Sequence, residues 1–247
     1  MNELFGSSRD VVRERYALRT PSGFVPSVLP GWTGCVAIVQ ISPAMGAALA
    51  QLQITLEKHG EGRGHTGPLE YFVYVLAGQC RARIGTKKVA LQAGSYVFIP
   101  AATAFHFFDA DEGAQLLIFQ KTFAPLTGRK KPGVIVGDQA DIPGQPFLGN
   151  EDARLQVLLP DQTDFDLAVN IFTYQPGATL PFVETHVMEH GLLMLGGQGV
   201  YRLDADHHPV QAGDVIWMAP YCPQWFVAMG RPPASYVYYK DVNRNPM

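Results

Sequence analysis

The sequence repeats itself at one fixed interval. Leu76-Ala77-Gly78-Gln79 matches Leu195-Gly196-Gly197-Gln198, Gln92-Ala93-Gly94 matches Gln211-Ala212-Gly213, and Lys121 matches Lys240. The separations 197 − 78, 213 − 94 and 240 − 121 all equal 119, so three distant matches share a single gap-free register. Self-similarity of this kind marks a duplicated unit, and each copy, at about 110 residues, has an ordinary domain size. The chain of 247 residues therefore divides into an N-terminal arm with a first domain, residues 1–135, and a second domain, residues 136–247. The linker is the solvated stretch Gly128-Arg129-Lys130-Lys131-Pro132-Gly133.

Within each copy the apolar runs are short and broken by Gly and Pro, as in Val36-Ala37-Ile38-Val39-Gln40-Ile41, Leu52-Gln53-Ile54-Thr55-Leu56 and Tyr71-Phe72-Val73-Tyr74-Val75-Leu76. Long helical periodicity is missing, so the expectation is an all-β barrel or sandwich, twice over. In the arm, Ser8 is placed to cap a short helix through Val11, Val12 and Tyr16, which ends at Pro21-Ser22-Gly23.

Composition narrows the partners. With 19 basic and 22 acidic residues the formal charge is −3, and no basic stripe occurs, so neither nucleic acid nor an anionic membrane is expected. Cys35, Cys80 and Cys222 are far apart and odd in number, which argues against a disulfide framework. An early run of charge and the lack of a long apolar stretch give a cytoplasmic reading, with a small molecule as ligand.

The chemistry concentrates in Glu184-Thr185-His186-Val187-Met188-Glu189-His190, completed by Gln224. A carboxylate, two imidazoles and an amide oxygen all bind divalent metals. If this segment is a strand, Glu184 and His186 leave it on one face. The bland alternative is a pair of surface histidines on a polar edge. It is disfavoured because Pro181-Phe182-Val183 and Leu192-Leu193-Met194-Leu195 flank the segment, and polar groups carried into an apolar barrel need partners. Two oxygen and two nitrogen donors suit six-coordinate Mn²⁺ or Fe²⁺ better than closed tetrahedral zinc.

Subtracting 119 from these four positions gives His65, Gly67, Tyr71 and Phe105, so the first domain keeps the barrel and lacks the site. Its residual candidates are His65, Glu70 and His106, the last one residue out of phase. Gly62-Arg63-Gly64-His65-Thr66-Gly67 mimics a dinucleotide fingerprint but leads into Pro68 and a strand instead of a helix. His207-His208 falls in a hairpin tip. Tyr236 and Lys240, four apart on an aromatic strand, share one face and are placed to meet a substrate. For Lys240 the bland reading is a solvated strand-end lysine, which its repeat at Lys121 favours.

The order of these residues resembles the cupin pattern: a ligand cluster, Gly197 seven positions past His190, then Gly213-Asp214 leading to Gln224. Cupins usually carry His, His, Glu and His in the four ligand slots. The set Glu184, His186, His190 and Gln224, with E-T-H-V-x-E-H-G, G-Q-G-V-Y and Y-x-K-D, resembles the bicupin (S)-ureidoglycine aminohydrolases of purine and allantoin breakdown. The resemblance implies two tandem jelly-roll cupin barrels, manganese in the second, and hydrolysis of ureidoglycine to ureidoglycolate with release of ammonia. It makes Glu184, His186, His190 and Gln224 the metal ligands. Glu184, Gln224, Tyr236, Lys240 and Tyr201 become substrate contacts, with Lys240 and Glu184 catalytic. The competing readings are a cupin dioxygenase or isomerase and a non-enzymatic ligand-binding cupin. A homo-oligomer of unspecified order is expected.

Overall fold

The computed structural model describes residues 8–244, and among them the regular structure is strand, with short 3-10 turns at Pro21–Gly23, Pro43–Met45 and Gln139–Asp141. Period-two sequence becomes two-faced strand in both halves. Gln79–Ile84 and Gln198–Leu203 each bury every second side chain, placing Cys80, Ala82 and Ile84, and Tyr201 and Leu203, inside. No helix among the described residues is long and apolar enough to cross a membrane.

One compact unit holds Val25–Ile142 with Asp161–Asp166. Its sheet runs in the order Ile135–Asp138, Ser95–Ile99, Leu69–Ala77, Ala114–Thr122, Leu49–His65, Ala104–Phe108, Gln79–Ile84, Lys87–Gln92. The long strand Leu49–His65 pairs with Ala114–Thr122 through Leu49 to Leu56 and with Ala104–Phe108 through Gly62 to His65. His59, in the left-handed region at φ 63, sits between those two stretches. The sheet curls on itself around a core that includes Leu52, Ile54, Val73, Val75, Leu116 and Ile118. This is a jelly-roll cupin barrel.

The other unit holds the described residues up to Phe24, Pro143–Pro160 and the chain from Leu167 onward. An eight-stranded sheet and the three-stranded sheet Asp206–Gln211, Gln198–Leu203, Gln224–Met229 enclose its core. The second barrel repeats the first in detail. Gly78 and Gly197 have φ of 69° and 70°, and each lies where a methyl would strike the next strand, 2.9 Å from Ala114 Cα and 2.6 Å from Ala234 Cα. Gly94 and Gly213 have φ of 92° and 89° and donate to the carbonyls of Val75 and Met194, both at 2.9 Å.

The fold departs from expectation at the arm, at the domain boundary and at the lysine pair. The arm forms no helix: Val11–Val12 pairs with Tyr16–Arg19, and the latter pairs with Val215–Met218. Tyr16, Ala17 and Leu18 are all buried, and covering an open strand edge secures more than one exposed helical turn would. Asp10 pins this hairpin by accepting from Thr20 N at 2.7 Å and Thr20 Oγ1 at 2.6 Å. A division at residue 135 also fails, because Ile135–Asp138 pairs with Ser95–Ile99 of the first barrel. Each barrel is thus edged by the lead strand of the other half.

The third departure concerns Lys121 and Lys240. In the first barrel Ile118 lies opposite Val73, and in the second Tyr238, not Val237, lies opposite Leu192. Ala114 and Ala234, the two alanines against the matching glycines, are 120 apart, so the hairpin before the last strand has gained one residue. A one-residue slip turns every side chain to the other face. Gln120, and not Lys121, is therefore the counterpart of Lys240.

Candidate metal centre

Directly opposed residues on antiparallel strands leave the sheet on one face, so the registers define rows across the barrel wall. Ala168, Lys240 and His190 form one row, Asn170, Tyr238 and Leu192 the next, and Phe172, Tyr236 and Met194 the third. The face is internal, since Phe172, Leu192, Met194, Tyr236 and Tyr238 belong to the barrel core. Gly191, between the first two rows, turns the other way. A methyl there would collide with the ring of Tyr239, whose hydroxyl donates to Glu189 Oε1 at 3.2 Å on that opposite face.

His190 opens its strand, but Glu184 and His186 do not lie on one, so their even spacing does not set them on a common strand face. Pro176 and Pro181 interrupt the segment and leave isolated bridges at Thr179 and Glu184. Glu184 is held by its backbone, donating to Gln224 O at 2.8 Å and accepting from Gln224 N at 2.9 Å. His186 is held by Tyr221 N, which donates to its carbonyl at 2.8 Å.

The side chains of His186, His190 and Gln224 converge. The imidazole centroids are 4.3 Å apart, and Gln224 Nε2 lies 2.9 Å from His186 Nε2 and 3.2 Å from His190 Nδ1. On its other side Gln224 Oε1 accepts from the Tyr201 hydroxyl at 3.1 Å. His186 Nδ1 faces the Met188 carbonyl at 3.2 Å, which fixes the proton there and leaves the Nε2 lone pair directed at the cluster. Burial lowers the pKa of His186, and burial together with the His186 and Lys240 charges pushes His190 well below its usual value. Both rings are neutral, the form that ligates metals.

Among the described residues no three His, Cys, Asp or Glu side chains gather into a metal-holding cluster, so the Glu184 carboxylate stands apart from the three that do meet. The residues nevertheless fit a divalent cation. His190 Nε2 is buried without a hydrogen-bond partner, and turning the ring over would bring that atom to the side that faces the cluster in place of Nδ1. An amide's two ends are assigned from its hydrogen bonds, and rotating Gln224 by half a turn would bring its oxygen to the two imidazole nitrogens. Tyr201 would be satisfied either way, because a hydroxyl accepts as well as donates. Three lone pairs converging in a buried space repel one another unless a cation lies among them.

Burial raises the pKa of Glu184, and the Lys240 charge opposes that rise. The Lys240 charge is therefore felt at Glu184, His186 and His190 alike. Lys121 differs: its ammonium is 2.5 Å from the buried Asp166 Oδ2, on the outer face of its strand. The Tyr236 hydroxyl meets that of Tyr174 at 3.1 Å, and burial pushes Tyr174, Tyr201 and Tyr236 up, so all three stay protonated. Tyr174 and Tyr238 belong to the site without having been singled out in the sequence; the Tyr238 ring lies 5.6 Å from His190. The alternation that pairs Tyr236 with Lys240 passes through Tyr238 and would have found it.

The first barrel has nothing comparable. Tyr71 and Phe105 take the positions of His190 and Gln224, with ring centroids 5.6 Å apart. His106 faces Glu61 at 3.2 Å, Glu70 lies opposite Lys121, and His65 Nδ1 accepts from Gly67 N at 3.0 Å, so these three point to different places.

Two tandem jelly-roll barrels, with converging imidazole and amide donors in the second and aromatic filling in the first, define a bicupin. No protein-family model matches the chain. It is 34% identical to the (S)-ureidoglycine aminohydrolase of Escherichia coli K12, over 99% of this chain and 98% of that one. It is also 34% identical to the (S)-ureidoglycine aminohydrolase of Arabidopsis thaliana, over 100% of this chain and 82% of that one. The crystal structure of protein Ylba from E. coli superposes with a TM-score of 0.87 at 31% identity, covering 98% of this chain and 97% of the other. The chain belongs to the (S)-ureidoglycine aminohydrolase family.

Proposed function

We propose that this protein is an (S)-ureidoglycine aminohydrolase that works with one divalent metal, manganese, held in the second barrel by His186, His190, Gln224 and Glu184. The observation that carries the reading is the pair of imidazoles facing the Gln224 amide in a barrel whose twin has the packed rings of Tyr71 and Phe105 at the positions of His190 and Gln224. The metal would supply Lewis acidity and a fixed point for the amine and carboxylate that the substrate bears on one carbon.

The chain's own residues orient the molecule around that point. Lys240, from the row of His190, gives a cation for the substrate carboxylate, a charge-assisted contact. Tyr236, steadied by Tyr174, and Tyr201, steadied by Gln224, present hydroxyls from the wall. Glu184, raised by burial, accepts from the substrate amine. In the reaction the carbon–nitrogen bond to the amine breaks, a bond from that carbon to a water oxygen forms, and the nitrogen gains a proton and departs as ammonia. Lys240 and Glu184 are the groups poised to move protons to the leaving nitrogen and from the incoming water. Held through both its amine and its carboxylate, one hand of the substrate fits and the other does not.

Ammonia release from (S)-ureidoglycine by the manganese-loaded protein tests the reading directly. Release with production of (S)-ureidoglycolate is expected. A loaded protein that releases none returns the site to the dioxygenase, isomerase or binding-module readings.

A further inference from the structure

The two barrels provide an internal comparison, because their rows align position by position. Ala50, Gln120 and Tyr71 in the first stand where Ala168, Lys240 and His190 stand in the second. Leu52, Ile118 and Val73 stand where Asn170, Tyr238 and Leu192 stand. The first barrel closes its core with Leu52, so the fold does not need a polar residue at this point. The second barrel has Asn170 there, 4% exposed. Its side-chain amide makes no hydrogen bond to another described residue, and its polar atoms stay accessible to water instead of being sealed in the core. The first barrel shows that an aliphatic side chain fits at this point, so packing alone does not call for an amide whose polar atoms face water-accessible space.

Several other positions where the second barrel replaces an apolar or aromatic lining residue with one of different polarity belong to the candidate site: Tyr71 by His190, Phe105 by Gln224, Ala82 by Tyr201, Ile118 by Tyr238, Leu116 by Tyr236 and Leu56 by Tyr174. Asn170 follows the same pattern. It is a diagonal neighbour of Lys240, and such neighbours are about 7–8 Å apart at Cα, within reach of one small ligand. A carboxamide offers one acceptor and one donor side by side, which matches the paired N–H and C=O of a urea and suits neither a carboxylate nor an ammonium group.

We propose that Asn170 is a specificity-determining contact that binds the neutral ureido end of the ligand, while Lys240 and the metal ligands hold the charged end. This rests on the ureide reading above. It adds a claim of its own, that the site distinguishes a urea from a simple amide through this side chain.

The test uses two compounds that lack the leaving amine and so do not react: N-carbamoylglycine, which carries the ureido group, and N-acetylglycine, which has a methyl where the terminal amine would be. Calorimetric titration of the manganese-loaded parent should show a preference of roughly tenfold or more for the carbamoyl compound, the size expected of neutral hydrogen bonds in a buried site. Asn170→Leu, which installs the first barrel's residue, should abolish the preference and leave N-acetylglycine affinity, metal content and melting temperature near parental. If that variant fails to fold, the isosteric Asn170→Asp, which loses the donor, takes its place and must also reduce the preference. A variant that keeps the parental preference, or a parent that has none, overturns the proposal. A parent that prefers the carbamoyl compound yet releases no ammonia from ureidoglycine sinks the hydrolase reading and leaves the ureido contact standing. Turnover without the preference does the reverse.

Discussion

Lys240 lies directly opposite His190 across two antiparallel strands, so its side chain enters the barrel beside the candidate ligands, whereas Lys121 leaves the outer face of its own strand toward Asp166. The two lysines that match in sequence therefore have separate tasks, and replacing them should have separate effects.

Lys240→Met should keep the metal and lose about a hundredfold or more in ammonia release, the usual scale for a proton-handling or charge-positioning group. Lys121→Met should leave turnover per folded molecule near parental and destabilise the protein by about 3 kcal/mol, because it strands the buried Asp166 carboxylate. Paired assays of ammonia release and thermal unfolding separate the two. Equal activity loss in both variants would contradict the registers.

His186→Ala combined with His190→Ala should release the metal on dialysis, since it removes both imidazoles of the donor set. Elemental analysis should give one tightly held ion per chain in the parent and none in the variant. Two ions per chain in the parent would mean that the first barrel also binds metal.

Arg9 reaches Asp214, fully buried, with two bonds of 2.6 and 2.8 Å, and so fastens the lead hairpin to the second barrel. Arg9→Ala should lower stability by about 1–3 kcal/mol, below the loss for a fully buried pair because the arginine is partly exposed. The measurable sign is earlier cleavage near Tyr16 in limited proteolysis, with the midpoint of chemical denaturation moved down.

Gly197→Ala should be severe. The backbone is left-handed there, and a methyl would strike Ala234 Cα at 2.6 Å. Gly67→Ala shares the left-handed backbone, at φ 58, but has open space around it, so it should cost about 1 kcal/mol from strain alone. Comparing the two by thermal unfolding isolates the close approach from the dihedral.

Much of this was legible in the chain. The 119-residue register places both glycine pairs correctly, because tight turns with left-handed backbone admit few other residues. His186, His190 and Gln224 meet as their chemistry suggests. The register misleads at Lys240, where a single residue gained in a Pro-rich hairpin leaves no mark that counting can detect. Glu184 and His186 looked like strand residues by spacing, but prolines upstream deny that segment a continuous ladder. The lead segment looked helical because its cap and apolar residues say nothing of an open strand edge about 200 residues downstream. Asn170 gave no signal in isolation; its meaning comes from Leu52, which only the aligned rows put beside it.

The exchange of lead strands also constrains how the molecule can be made. Tyr16–Arg19 emerges early in synthesis, but its partner Val215–Met218 is nearly the last strand to appear, so the first segment must wait unpaired until translation is almost complete. Ile135–Asp138, by contrast, finishes the first barrel as soon as it leaves the ribosome. Cutting the gene between its two repeats would leave the first product with a strand that has no edge to cover and the second with an edge that has no strand. Two halves with one ancestral plan have become mutually dependent, and only a circularly permuted chain that starts after Arg19 and carries the lead strand at its far end would let the second barrel close in the order it is read.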